Sequence, residues 1–202
     1  MAVILCFLLL ILLPAAPARA GSPGDALLEN VIAPLEAPRM ARLAWLQRRL
    51  PVPIHGFASD GCSGGLSAGW SLLAQRIPDL ARRIGSRPPW EACCVAHDRT
   101  YWGGPGVNGY ARRLAADRAL RRCVVDTVAR QRLDWAARLG LAPAELDTLI
   151  HSVAQAMYLA VRVGGGPCTG LPWRWGYGWP RCPGAPAFQQ TRFGPHPPPR
   201  SP

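Results

Sequence analysis

Apolar residues recur at helical spacing along most of the chain, and no segment has the strict alternation that is typical of a strand. The pattern predicts short helical pieces over residues 25–50, where Pro34 and Pro38 interrupt it. Residues 51–69 are dense in Gly, Ser and Pro and are expected to form a loop. A helical period returns over residues 70–84.

Three longer helices are predicted after that segment. The first spans about residues 89–102 and ends at a Gly-Gly-Pro-Gly turn. The second is a long amphipathic helix that begins after Asn108 or Gly109 and ends at Gly140. The third, residues 143–163, carries its apolar residues on one stripe and is expected to face the core. The predicted fold class is therefore all-α.

The first twenty residues, MAVILCFLLLILLPAAPARA, are typical of a secretory signal peptide that is cleaved after Ala20. The apolar run is short for a membrane span, but the usual basic residue near its start is missing. Retention of this segment as an N-terminal anchor is therefore the alternative. In either case we expect a secreted or periplasmic protein.

Six cysteines remain after the predicted signal peptide: Cys62, Cys93, Cys94, Cys123, Cys168 and Cys182. An even number of cysteines in an exported chain indicates disulfides. We expect Cys168 and Cys182 to close a loop rich in Trp and Tyr, followed by a disordered Pro-rich tail. The aromatic rings could lie at a membrane interface, where Arg174 and Arg181 would meet lipid phosphates, or pack against the helices, and both interpretations remain open.

Arginine dominates the charge of the chain. There are 23 basic residues, all of them Arg, against 12 acidic ones, which gives a formal net charge of +11. Such a charge favours attraction to acidic lipid, nucleic acid or envelope polymers, although a simple bias in composition explains it equally well. One group of arginines is expected to form a solvated helix face: Arg112, Arg113, Arg118, Arg121 and Arg122.

The segment EACCVAHDRTYW, residues 91–102, concentrates the chain's most reactive side chains. Residues four apart share a helix face, so Cys93, His97 and Tyr101 form one stripe. Cys94 and Asp98 form the neighbouring stripe. One helix therefore presents an imidazole and a carboxylate side by side, each with a cysteine one turn behind it.

The long helix that follows contains DRALRRC, residues 117–123, which supplies a partner for the first stripe. If the two helices are antiparallel, a Cys93–Cys123 bridge would set their register. His97 then lies roughly 6 Å along from the bridge and Asp117 roughly 9 Å, at about 1.5 Å per residue. This geometry predicts a His–Asp pair.

The second stripe points towards the Gly-rich loop SDGCSGG that contains Cys62. A Cys62–Cys94 bridge would hold the backbone carbonyls of this loop near Asp98. Carbonyl and carboxylate oxygens suit Ca²⁺, and the same loop can aim N–H groups at a developing oxyanion.

These two motifs, CCVAHDRTY and DRALRRC, resemble the active-site helices of secreted phospholipase A2, and the resemblance covers roughly residues 56–128. It implies that His97 is the general base for a water, that Asp117 orients it and that Tyr101 hydrogen-bonds Asp117. It also implies that Asp98 binds Ca²⁺. The bridges that it implies are those considered above, Cys93–Cys123 and Cys62–Cys94.

Two departures from the family pattern concern cysteines and the calcium loop. Thr100 and Ala116 replace two cysteines that normally bridge each other, so one disulfide is lost as a unit. Alignment of the loop on Cys62 makes the carbonyls of Gly61, Ser63 and Gly65 the expected metal ligands. An N–H of Ser63 or Gly64 is then the expected oxyanion donor.

The prediction is a Ca²⁺-dependent, phospholipase A2-like lipid hydrolase built on two long antiparallel helices joined by a disulfide, a Gly-rich calcium loop and flanking helices. Its expected partner is an anionic phospholipid membrane, with no nucleic acid and no obligate protein partner. The predicted divisions are a signal peptide (1–20), a helical extension (21–55), the catalytic domain (56–163), the aromatic loop (164–182) and the tail (183–202).

Other functions are weighed against this prediction. A non-catalytic cationic protein that binds membranes or envelope polymers on the same scaffold is the main alternative. A zinc site built from cysteines and His97 is disfavoured, because adjacent helical cysteines point about 100° apart and export favours oxidation. Nucleic-acid binding lacks a recognisable motif.

Overall fold

The computed structural model describes residues 23–50, 52–53, 55–59, 61–62, 82–83 and 85–184. These residues form helices, turns and irregular segments and contain no strand, which confirms the all-α prediction for them. The helices are α1 Pro23–Gln47, α2 Glu91–Gly103, α3 Gly109–Ala129, α4 Arg132–Leu139 and α5 Pro143–Gly164. The predicted signal peptide, most of the helix predicted over 70–84 and the tail after residue 184 lie outside the described residues.

The sequence signals at the helix ends act as expected. Gly104 ends α2 in the left-handed conformation (φ 39°), and its N–H donates to the Thr100 carbonyl. Pro143 opens α5, where the Glu145 carboxylate accepts a hydrogen bond from the Ala142 N–H at 2.7 Å. None of the described helices is both long enough and apolar enough to cross a membrane.

Two helix boundaries differ from the prediction. The segment that contains Pro34 and Pro38 is a single 25-residue helix, because the two prolines lie on its exposed side while its other side is buried. The helix predicted over 109–140 is instead interrupted after Ala129. The interruption redirects the chain so that Trp135, on α4, enters the core and α4 packs against α5.

Helix α3 lies at the centre of the fold and packs against α1, α2, α4 and α5. Its contacts with α2 run in opposite directions along the two helices: Cys93 bridges Cys123, and His97, later on α2, meets Asp117, which comes earlier on α3. The two helices are therefore antiparallel. The described residues form three disulfides: Cys62–Cys94, Cys93–Cys123 and Cys168–Cys182.

The aromatic loop closed by Cys168 and Cys182 packs against the helices. Trp175 and Trp179 are buried and share an apolar cluster with Tyr101 and with residues of α1. Arg174 is also buried and donates to the Trp179 carbonyl at 2.8 Å, so it does not face lipid phosphates. The structure thus confirms packing against the helices for Trp175 and Trp179.

Candidate active site

A buried pair formed by His97 and Asp117 lies between α2 and α3. The Nε2 atom of His97 is 2.8 Å from Oδ1 of Asp117, and the two residues are 7% and 0% exposed. The Cys93–Cys123 bridge joins the same two helices one turn earlier on α2, with its Cα atoms 5.8 Å apart. The bridge thus holds the register that brings the imidazole onto the carboxylate.

The environment of His97 defines its tautomer. Asp117 is a carboxylate and can only accept, so Nε2 carries the proton and Nδ1 has a free lone pair. Burial by itself lowers the pKa of His97, but the hydrogen bond to Asp117 and the negative charges of Asp117 and Asp98 outweigh burial and raise it above its ordinary value. Nδ1 is therefore a base of increased strength, 3.8 Å from Oδ1 of Asp98.

Three further side chains surround Asp117. The Tyr101 hydroxyl donates to Oδ1 at 2.6 Å, and a nitrogen of Arg162 donates to Oδ2 at 3.0 Å. Arg113 donates to the Tyr101 hydroxyl at 3.0 Å and lies 3.9 Å from Oδ2. Burial raises the pKa of Asp117, but the hydrogen bond from His97 and the charge of Arg113 outweigh burial and hold the pKa below its ordinary value.

Helix α1 supplies carboxylates that balance these arginines. Glu36 forms an ion pair with Arg113, and Glu29 accepts two hydrogen bonds from Arg162, at 2.7 and 3.0 Å. The pair Asp25 and Arg121 repeats the arrangement further along α3. Arg113 and Arg121 are only 0% and 7% exposed, so the prediction of a solvated arginine face is wrong for these two residues.

The second carboxylate of the site, Asp98, faces the Gly-rich loop. It is 7% exposed, and its Oδ2 accepts a hydrogen bond from the Ser59 hydroxyl at 2.6 Å. The Cys62–Cys94 bridge fastens the loop to α2. Gly61 adopts a left-handed conformation (φ 77°) that suits glycine. The other predicted loop residues, Ser63, Gly64 and Gly65, lie outside the described residues.

A cavity of about 40 Å³ lies between His97 on one side and Asp98 with the Gly-rich loop on the other. Gly61, His97 and Asp98 form its polar part, while Met157, Ala160 and Val161 of α5 contribute to an apolar wall. A water needs only about 10–15 Å³, so the cavity can hold a water beside the imidazole. The cavity can thus place a water and an apolar group side by side next to His97.

The donor set around Asp98 suits a hard cation. Among the described residues no arginine pairs with Asp98, and no three or more His, Cys, Asp and Glu side chains are grouped in a way that could hold a metal. Of the described groups, a calcium ion would instead use the Asp98 carboxylate and the Gly61 carbonyl. A buried carboxylate without a cationic partner other than His97 fits such an ion.

The sequence alone did not predict the network of carboxylates from α1 and arginines from α3 and α5 that surrounds Asp117. A signal for them exists, because Asp25, Glu29 and Glu36 interrupt the apolar stripe of α1 at helical spacing. Arg162 interrupts the apolar stripe of α5 in the same way. Charges inside a buried stripe indicate partners on another helix, but a single sequence does not identify them. Ser59 has no signal of this kind.

Comparison of the chain with protein-family models, with curated proteins and with solved structures finds no significant match.

Proposed function

We propose that the protein is an extracytoplasmic, Ca²⁺-dependent, phospholipase A2-like hydrolase that cleaves the sn-2 ester of phospholipids. The observation that carries the proposal is the buried pair of His97 and Asp117, which opens through the imidazole onto a cavity shared with Asp98 and Gly61. A positioned base, an acid that orients it and a carboxylate for a cation are the parts that such a reaction needs.

In the proposed reaction Nδ1 of His97 accepts a proton from a water in the cavity while the water oxygen attacks the ester carbonyl. Asp117 accepts the Nε2 proton in a hydrogen bond, keeps the tautomer and stabilises the imidazolium. The imidazolium then gives its proton to the departing alcohol oxygen, so that water and ester become a fatty acid and a lysophospholipid.

Two further groups support the reacting ones. Tyr101 and Arg162 hold the carboxylate of Asp117 in place, since each donates to a different oxygen. Asp98 and the Gly61 carbonyl are the described groups that would hold Ca²⁺, which when bound would polarise the ester carbonyl. The choice of a phospholipid rests on the motif resemblance, the apolar wall of the cavity and the net charge of +11.

The test is release of fatty acid from vesicles of mixed zwitterionic and anionic phospholipid by the oxidised protein, with calcium and with a chelator. We expect release that requires calcium. His97→Gln should lower it by about 10² to 10⁴, the range for a positioned general base. His151→Gln is the matched control: among the described residues His151 bonds the Asp147 carbonyl and lies outside the site, so the substitution should leave the rate unchanged. Equal rates for His97→Gln and the parent would exclude His97 as the base.

A non-catalytic cationic protein that adheres to membranes or envelope polymers is the second candidate, and the net charge of +11 favours it. Such a protein would bind the same vesicles and release no fatty acid under either condition. The assay therefore separates the two candidates.

A further inference from the structure

Helix α1 carries its carboxylates on the opposite side from an ordinary surface helix. Its three carboxylates, Asp25, Glu29 and Glu36, all point inward and pair with arginines of α3 and α5. In an ordinary amphipathic helix such residues face water and apolar residues face the core. The outward side of α1 is consequently left without any carboxylate.

Apolar and cationic residues occupy that outward side. Leu27, Val31 and Leu35 follow one another at four-residue spacing and are 68%, 56% and 59% exposed. The same side continues with exposed arginines and an aromatic ring towards the end of the helix. We define the outer face of α1 as Leu27, Val31, Leu35, Arg39, Arg42 and Trp45.

The apolar area extends beyond α1 onto α5. An open groove of about 480 Å³ separates the two helices, and Leu27, Val31 and Leu159 contribute to its lining. Val163, one turn after Leu159, is 68% exposed. Exposed apolar side chains grouped in this way on one side of a protein are typical of an interaction surface.

The charge of this surface selects among possible occupants. A second copy that docks by the same face would bring four arginines and no outer-face carboxylate into one contact, and like charges disfavour that contact. The C-terminal segment 185–202 contains two arginines and no acidic residue, so it offers no complement either. An anionic lipid surface complements both properties, because leucine and tryptophan side chains partition into the headgroup region and arginines attract lipid phosphates.

We propose that the outer face of α1 is the surface by which this protein docks on an anionic phospholipid membrane. The proposal rests on the proposed function only for the class of lipid, and it adds where the protein meets it. Helix α5 contributes to both places: Leu159 lines the groove, while Met157 and Val161 line the cavity beside His97.

The experiment measures binding without turnover. Full-length oxidised protein is mixed, in chelator, with vesicles of ether-linked phosphatidylcholine, with or without ether-linked phosphatidylglycerol, and sedimented. L27Q/V31Q/L35Q should reduce binding to the anionic vesicles at least about tenfold, because three apolar side chains no longer enter the interface. R39Q/R42Q should reduce it about tenfold and lower the preference for anionic vesicles.

The matched control is V107Q/L133Q, which makes the same change at two side chains that are 74% and 70% exposed elsewhere on the surface. It should bind like the parent. All three variants should keep the parent's circular dichroism and melting temperature, since every substituted residue is exposed.

Several results would overturn the proposal: no binding of the parent to anionic vesicles, parent-like binding by L27Q/V31Q/L35Q, or an equal loss in V107Q/L133Q. A dimer of the parent without lipid that L27Q/V31Q/L35Q dissociates would assign the face to a second copy instead. Failure of the proposed function has a different signature. In that case ester-linked vesicles release no fatty acid, while the two outer-face variants still lose binding.

Discussion

Asp117 and Asp98 are both buried and both meet the same imidazole, yet the chain treats them differently. Asp117 receives hydrogen bonds from Tyr101 and Arg162 as well as from the imidazole. Asp98 receives one from the Ser59 hydroxyl, and the imidazole nitrogen nearest to it is 3.8 Å away. The chain itself compensates the first charge. The second is held in a position where a cation from outside would compensate it.

Removal of the charge on Asp117 should produce the largest loss of stability. In Asp117→Asn the buried Arg162 and Arg113 lose a carboxylate, and breaking a buried ion pair in this way typically destabilises by about 3–5 kcal/mol. The free energy of unfolding, from guanidinium titration of the oxidised protein, measures the effect. Fatty-acid release should fall as well, because the imidazole loses its orienting acid.

Asp126→Asn is the matched control for this variant, since Asp126 is an exposed acid on the same helix. Its free energy of unfolding should change by less than about 0.5 kcal/mol. Equal stability of Asp117→Asn and the parent would contradict the view that the chain depends on this charge.

The dependence of stability on the Asp117 charge should also appear at low pH, where this carboxylate becomes protonated. Burial raises the pKa of Asp117 in the folded protein, but hydrogen bonding to His97 and the charge of Arg113 outweigh burial and hold the pKa below its ordinary value. A carboxyl group with a lowered pKa contributes stability that is fully present above its unfolded pKa and is lost as the pH falls through the folded pKa. Between about pH 5 and pH 3 the parent should therefore lose more stability than Asp117→Asn.

Denaturant titrations at several pH values provide the measurement. Parallel stability curves for the parent and Asp117→Asn over that range would show that the lowered pKa of Asp117 does not contribute.

The local geometry of the site is largely predictable from the sequence, and its surroundings are not. The pair of His97 and Asp117 follows from helical spacing and one bridge, since Cys93 and Cys123 set the register of two consecutive helices. Those relations span at most 30 positions along the chain. Within such a distance, helix geometry leaves few alternatives.

The charges behind Asp117 involve much longer separations. Glu29 meets Arg162 across 133 positions, and Asp25 meets Arg121 across 96. A charged residue in a helical stripe has the same local pattern whether it faces water or a partner, so the arginines of α3 were expected to be solvated. Only the packing of α1 against α3 decides between these cases.

The hydroxyl of Tyr101 should contribute less than the Asp117 charge. Tyr101→Phe removes one hydrogen bond to the carboxylate and one from Arg113, and hydrogen bonds to charged groups are worth about 1.5–3 kcal/mol. We expect a loss of that size in the free energy of unfolding. Tyr177→Phe, which removes a more exposed hydrogen bond to the Ala58 carbonyl, should lose less. A larger loss of stability in Tyr177→Phe than in Tyr101→Phe would show that the hydrogen bonds of the Tyr101 hydroxyl do not stabilise the site as expected.

Asp98→Asn should have the smallest effect on stability and the most specific effect on calcium. No arginine among the described residues depends on Asp98, and an asparagine oxygen can still accept the Ser59 hydrogen bond, so in chelator the free energy of unfolding should change by less than about 1 kcal/mol. Calcium at the proposed site would bind only the folded parent and should therefore raise its melting temperature. In Asp98→Asn this rise should disappear, whereas Asp126→Asn should keep it. An equal rise in Asp98→Asn and the parent would place the cation away from Asp98. A bound cation would then not be what compensates the charge of Asp98, in contrast to the arginines that compensate Asp117.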